Sequence, residues 1–185
     1  MQPIEGKAAG IIDAVSIRER PAEVEDRAIP GHWEGDLVEG ARGTYIATLV
    51  ERHSRFVVLV KLSGKSTEEV VHALIKAVRK LPTALCKSLT WDRGAELASH
   101  AAFTVAANVQ VYFCDPASPW QRGSNENTNG LLRQYYPKGA DLSAVTQTQL
   151  DAVAKKLNTH PRKTLNWKHQ GIFSPQVFDD RLRTA

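Results

Sequence analysis

The chain has 185 residues, of which 42% are hydrophobic and 24% charged, enough to bury the core of one domain with tails. No run approaches the roughly 18 apolar residues a membrane span needs, and "MQPIEGKAAG" has neither a signal core nor a transit pattern, so a cytoplasmic protein without membrane contact is expected. Net charge is +4 but unevenly spread: residues 1–40 carry four basic and nine acidic side chains, residues 41–185 twenty and eleven, a basic body that suits a polyanion or simply a solvated surface.

Residues 1–30 read as an extended lead-in or linker, because "SIRERPAEVEDRAIP" is charged, lacks apolar periodicity and is bracketed by prolines. After Gly31 the pattern changes. "HWEGDLVEG", "TYIATLVER" and "RFVVLVKL" are β-rich runs joined by a glycine turn and by the short link "HS", which predicts a three-stranded antiparallel meander. "STEEVVHALIKAVRKL" predicts a helix, capped by Ser66 or Thr67, with Val70, Val71, Leu74, Ile75 and Val78 on one face. "CKSLTWD" predicts a strand, "ELASHAAFTVAAN" a helix and "VQVYFC" another strand; a polar helix from about Gln121 and a final helix, "TQTQLDAVAKKLNTH", follow. Strand–helix alternation after a meander implies an α/β fold with a mixed five-stranded sheet, three antiparallel strands and then parallel ones, flanked by helices. Cys86 and Cys114 have no paired thiol or histidine at ligand spacing and are expected to be buried thiols rather than zinc ligands.

Three acids depart from helical surface positions. Asp36 lies inside the first strand, Asp92 at the carboxyl end of the fourth, and Glu126 on the polar start of the helix after the fifth. If the first strand is central, Asp36 and Asp92 are neighbours and the helix bearing Glu126 can pack across both. Three such carboxylates repel one another unless cations neutralise them, and hard oxygen donors suit Mg²⁺ or Mn²⁺. Two ions about 4 Å apart serve phosphodiester chemistry. Taken singly, each acid also has a plain reading as a turn residue or a dipole-compatible surface group.

"GHWEGDLVEG", "TLVERHSRFVVLV", "KSLTWDRGAELASH" and "VYFCDPASPWQRGSNENTNGLLRQYYPKGADLS" together resemble the catalytic core of bacterial insertion-sequence transposases of the IS-thirty family, within the DDE transposases and retroviral-type integrases. The resemblance covers about Val15 to Trp167. It implies an RNase H-like fold over residues 31–167 and the catalytic, metal-binding acids Asp36, Asp92 and Glu126, the last two separated by 33 residues. It also implies two Mg²⁺ or Mn²⁺ ions, DNA partners (transposon ends and target) and a homo-oligomer in the active complex. The activity implied is metal-dependent cleavage at element ends followed by attack of the freed 3′-hydroxyl on target DNA.

On a helix, Arg122, Glu126, Asn129 and Arg133 fall on one side, which places Asn129 and the two arginines near a phosphate backbone. Arg122, Lys138, Arg162, Lys163 and Lys168 are candidate phosphate contacts or solvated cations. Trp120 is expected to cap the core, with base stacking as the other option; Trp33 and Trp91 are expected in the core and His32 at the surface. No helix-turn-helix segment fits within the first 30 residues, and residues 168–185, "KHQGIFSPQVFDDRLRTA", leave the family pattern, so a truncated or frame-altered copy, or a separate catalytic fragment, is expected. A remnant without catalysis that binds DNA or full-length transposase is the alternative, and a standalone nuclease on the same fold a third.

Overall fold

A computed structural model describes residues 11–160, apart from Asp26 and Ala28. Its strands are β1 (His32–Glu39), β2 (Tyr45–Glu51), β3 (Val57–Lys61), β4 (Ser88–Trp91) and β5 (Gln110–Phe113). Its α-helices are α1 (Thr67–Val78), α2 (His100–Ala107), α3 (Gly123–Leu132) and α4 (Gln147–Thr159). The order β-β-β-α-β-α-β-α-α is the expected one. One five-stranded sheet forms in the order β3-β2-β1-β4-β5, with β1–β2 and β2–β3 antiparallel and β1–β4 and β4–β5 parallel.

Alternation along the strands divides the core into two layers, as the period-two geometry of a strand requires. Trp33, Ala47, Leu49, Leu89, Trp91, Val111 and Phe113 pack with Val70, Val71, Leu74 and Val78 of α1 and Phe103 of α2. On the other face Val38, Ile46, Val50, Val57 and Leu59 meet Leu132 of α3 and Leu150, Val153, Ala154 and Leu157 of α4. Capping boxes start both long helices: the Ser66 hydroxyl accepts the Glu69 N–H, and Thr146 does the same with Gln149. Asn108, with φ 54°, closes α2 in a left-handed turn.

Two expectations change. The charged lead-in, expected to be extended, folds onto the sheet over its described residues. Ser16 and Glu19 form a capping box around a 3₁₀ turn (Ile17–Glu19), Ser16 bridges Phe113 in parallel, and Ile17 and Val24 are buried. The buried Arg20 donates to Thr90 Oγ1 at 3.0 Å and pairs with Glu25 at 2.5 Å. High charge density hid two apolar anchors and an S-x-x-E motif. Secondly, the helix expected over "ELASHAAFTVAAN" splits into a 3₁₀ turn at Ala95–Leu97 and the shorter α2.

Gly35 lets β1 lie against the indole of the fully buried Trp91: a Cβ there would sit 2.2 Å from Trp91 Cζ3. A Cβ at Gly130, on the exposed side of α3, would meet nothing within 4 Å. In urea unfolding, Gly35→Ala is expected to lose about 1–3 kcal/mol or more through overpacking, whereas Gly130→Ala gains about 0.5–1 kcal/mol through helix propensity. Equal midpoints for the two variants would contradict this packing.

Candidate functional site: an acid pair under a polar helix

Helix α3 is docked by hydrogen bonds where most helices are docked by apolar contacts. Its sequence, "GSNENTNGLL", has poor helix propensity and no side-chain cap from Arg122 at its N-cap. In place of that cap, Glu34, wholly buried on β1, accepts the Asn125 backbone N–H at 3.0 Å through Oε2, satisfying one of the donors a helix start leaves unpaired. Glu34 Oε1 accepts Arg52 Nη1 at 2.6 Å, so the buried carboxylate has a cation on one oxygen and a helix start on the other. The Asn125 side chain donates to the carbonyls of Glu34 (2.9 Å) and Thr48 (3.3 Å) and accepts from Thr48 Oγ1 at 2.9 Å.

The network continues to the first acid. Thr48 Oγ1 also lies 3.0 Å from Asn129 Oδ1, and Asn129 Nδ2 donates to Asp36 Oδ2 at 3.0 Å. Asp36 Oδ1 accepts the Leu37 N–H at 2.9 Å and lies 3.1 Å from Arg122 Nη1. Arg122, only 7% exposed, also donates to Gly35 O at 3.1 Å and reaches Asp92 Oδ2 with Nη2 at 3.5 Å. The β1–β4 register, Trp33 opposite Leu89 and Glu34 opposite Thr90, brings Asp36 level with Asp92 when continued past the last paired residues. Asp92 Oδ1 accepts the Gly94 N–H at 3.0 Å, a turn contact that leaves Oδ2 to Arg122.

Asp36, inside β1, and Asp92, just past the carboxyl end of β4, are therefore brought together on adjacent strands. The cation between them belongs to the chain. Glu126 does not join them in this arrangement: it is exposed, and its side chain makes no hydrogen bond or ion pair among the described residues. Nor, among the described residues, do three His, Cys, Asp or Glu side chains gather closely enough to hold an ion. The residues of α3 that face the sheet are Asn125, Thr128, Asn129 and Leu132, with Arg122 just ahead of them; of the Arg122–Glu126–Asn129–Arg133 face expected from sequence, Arg122 and Asn129 meet Asp36 and Glu126 lies outside. Buried amides carry no hydrophobic periodicity, and the sequence pattern could not show which polar side faced inward.

Other candidates fall in different places. Arg133 fastens the chain, donating to Glu39 O at 3.1 Å and Tyr136 O at 3.5 Å. Lys138 is exposed. Arg162, Lys163, Trp167 and Lys168 lie outside the described residues. Trp120 is 70% exposed and does not cap the core. Its neighbours Pro119 and Arg122 line a cleft of about 320 Å³, walled also by Asp92, Arg93 and Cys114–Ser118. His32 is buried, with Nδ1 2.8 Å from Ser88 Oγ, because its strand position faces the covered side of the sheet. Trp33, Trp91, Cys86 and Cys114 are buried as expected; both thiols are free, and burial pushes their pKa values up to about 11. Sequence reading missed Glu34, Arg52, Thr48 and Asn125. The one usable signal was Glu34 two residues before Asp36, on the same strand face.

A mixed sheet with an acid pair side by side on its adjacent parallel strands β1 and β4 defines a class, and sequence comparison identifies it. Residues 26–119 match the integrase core domain, and the chain belongs to that family. The match includes Asp36 and Asp92 and ends ahead of Glu126. The chain is similar to transposase InsI of insertion sequence element IS30A from Escherichia coli, 55% identical over 158 residues, covering 85% of this chain and 41% of that protein. Similar too are the transposase of IS1086 from Cupriavidus metallidurans (54%, covering 85% of this chain and 47% of that one) and the transposase of IS4351 from Bacteroides fragilis (41%, covering 83% and 47%). The chain thus spans less than half the length of these curated relatives, and the IS-thirty resemblance read from its motifs holds. A chain of the simian T-cell lymphotropic virus intasome in complex with PP2A regulatory subunit B56 gamma superposes with a TM-score of 0.62 at 19% identity, covering 80% of this chain and 56% of that one. That likeness is one of fold, and the fold is RNase H-like. No helix among the described residues is long and apolar enough to cross a membrane.

Burial raises the Asp36 carboxyl above its ordinary range, against the opposing pull of Arg122. A raised folded-state value means that Asp36's contribution to stability is full below the unfolded-state value and is lost as pH rises through the folded one. The stability of Asp36→Asn relative to the parent should accordingly rise with pH across that window, measured by urea midpoints at several pH values. A relative stability that falls over the same interval would refute the sign.

Proposed function

We propose that this chain is the catalytic core of a DDE-type transposase that cleaves DNA at the ends of an insertion sequence and transfers the freed strand to target DNA. The observation that carries the reading is the Asp36–Asp92 pair, level on β1 and β4 beneath the helix that bears Glu126, in a chain 55% identical to an insertion-sequence transposase. In strand transfer the 3′-hydroxyl oxygen bonds to a target phosphorus as the phosphorus–O3′ bond of the target breaks, and the leaving oxygen takes up a proton. One phosphodiester replaces another, and no covalent protein–DNA bond is needed.

Such a displacement requires charge stabilisation at the attacking and leaving oxygens. Asp36, Asp92 and Glu126 supply acidic oxygens for this, and dependence on Mg²⁺ or Mn²⁺ belongs to the proposal. As arranged, however, the described residues do not fit an ion: Arg122 holds an oxygen of each aspartate and Glu126 stands apart. No step is therefore assigned to a metal. The chain's own groups hold the two aspartates level and present Glu126 on the solvent side one helical turn on. They also keep Arg122 charged: burial works to lower its pKa, and the two aspartates outweigh burial and raise it. Exposed Lys138 and Arg93 are among the cations the described surface offers to phosphates, while DNA ends, target and a homo-oligomeric complex are the proposed partners. The plugged acid pair also favours a second reading, a DNA-binding remnant without catalysis.

Joining of pre-cleaved element-end oligonucleotides to a supercoiled plasmid separates the two. With Mg²⁺ or Mn²⁺ the chain should form joined product that EDTA removes, and Asp36→Asn, Asp92→Asn or Glu126→Gln should each lower the rate by about 10³-fold or more, the scale of losing a principal transition-state contact. DNA binding without joining, unchanged by the three substitutions, would leave the remnant reading.

A further inference from the structure

The disagreement between an acid pair suited to a cation and an arginine already seated in it has a direct consequence. We infer that Arg122 is a displaceable stand-in for the divalent ion, and that a DNA phosphate withdraws it, so that metal and DNA bind cooperatively. The inference rests on the reading of Asp36 and Asp92 as metal-binding acids.

Four observations carry it. Arg122 and an ion would compete for the same atoms, Asp36 Oδ1 at 3.1 Å and Asp92 Oδ2 at 3.5 Å. A single positive charge only half neutralises two carboxylates, whereas a divalent ion neutralises both. Arg122 is under-used where it sits: its Nε is buried without a hydrogen-bond partner, so the guanidinium gains a contact wherever it meets a multidentate acceptor. A phosphate is such an acceptor, and Arg122 lines the cleft of about 320 Å³ through which one would approach.

The backbone provides a route for the movement. Arg122 has φ −122° and ψ 40°, a break between the 3₁₀ turn Pro119–Arg122 and α3, and the space beside Gly123 is open, with nothing within 4 Å of where a Cβ would stand. Asn125 holds α3 to the sheet through Glu34 and Thr48, contacts that involve neither Arg122 nor the two aspartates, so the turn can swing without undocking the helix. Phosphate binding then exposes the aspartate oxygens, and by linkage the ion strengthens DNA binding by the same factor.

The test is Mn²⁺ binding to the full chain, read from the electron paramagnetic resonance of free Mn²⁺, with and without a short DNA duplex. Asp36→Asn with the same duplex provides the uptake of the DNA itself. The parent should bind Mn²⁺ weakly alone and about tenfold or more tighter with duplex, within the usual range of site–site coupling. Arg122→Gln should bind tightly without DNA and gain little from it. Arg122→Lys, which keeps the charge but has a single ammonium in place of the fork, should fall between and serves if Arg122→Gln fails to fold. Equal affinity of parent and folded variants, or no effect of duplex on the parent, overturns the inference while leaving the acids as metal ligands. Absence of Asp36-dependent Mn²⁺ binding in every form overturns both this inference and the metal-dependent reading beneath it.

Discussion

The site depends on one buried carboxylate. Glu34 has no solvent exposure, and burial of an acidic side chain is tolerable only with each oxygen paired. Arg52 takes one oxygen and the N-terminal turn of α3 the other. The second contact matters more for position, because α3 has little else to fix it: its helix propensity is low, it lacks a cap of its own, and its main apolar anchors come only at Leu131 and Leu132. Each neutral hydrogen bond contributes about 0.5–1.5 kcal/mol net, but a buried partner left orphaned costs about 1–3 kcal/mol. A set of interlocked bonds from Glu34, Asn125, Thr48 and Asn129 therefore defines one rotation of the helix far more sharply than an apolar seam would.

That rotation decides the electrostatics. With Asn125 and Asn129 turned inward, Arg122 falls over the gap between β1 and β4 and Glu126 falls outside it. The two aspartates are adjacent because parallel pairing in register makes them so, and their mutual repulsion is relieved by the arginine that the same helix start delivers. One chain segment thus carries both the internal counter-cation and, four residues later, the acid that the family resemblance assigns to the active set.

Much of this was legible in the amino-acid sequence, and the limits have physical causes. β-branched runs and the amphipathic faces of α1 and α4 revealed the element order, and an acid inside one strand and another at the end of a second drew attention to Asp36 and Asp92. The facing of α3 was not legible, since hydrophobic periodicity is blind to a helix docked by amides. His32 was misread for the same reason: a polar side chain that satisfies itself on Ser88 can be buried, and composition counts it as surface. Trp120 erred in the other direction, because its bulk suggested a core cap where the Pro119 turn holds it in solvent.

The most direct test of the account is a crystal structure of this chain with Mn²⁺ and a DNA duplex, using anomalous scattering to locate the ion. The account predicts a Mn²⁺ peak coordinated by Asp36 and Asp92, Glu126 turned toward it, Arg122 on a phosphate, and the Glu34–Asn125 contact unchanged. A peak elsewhere, or Arg122 still bridging the two aspartates with DNA bound, would contradict it.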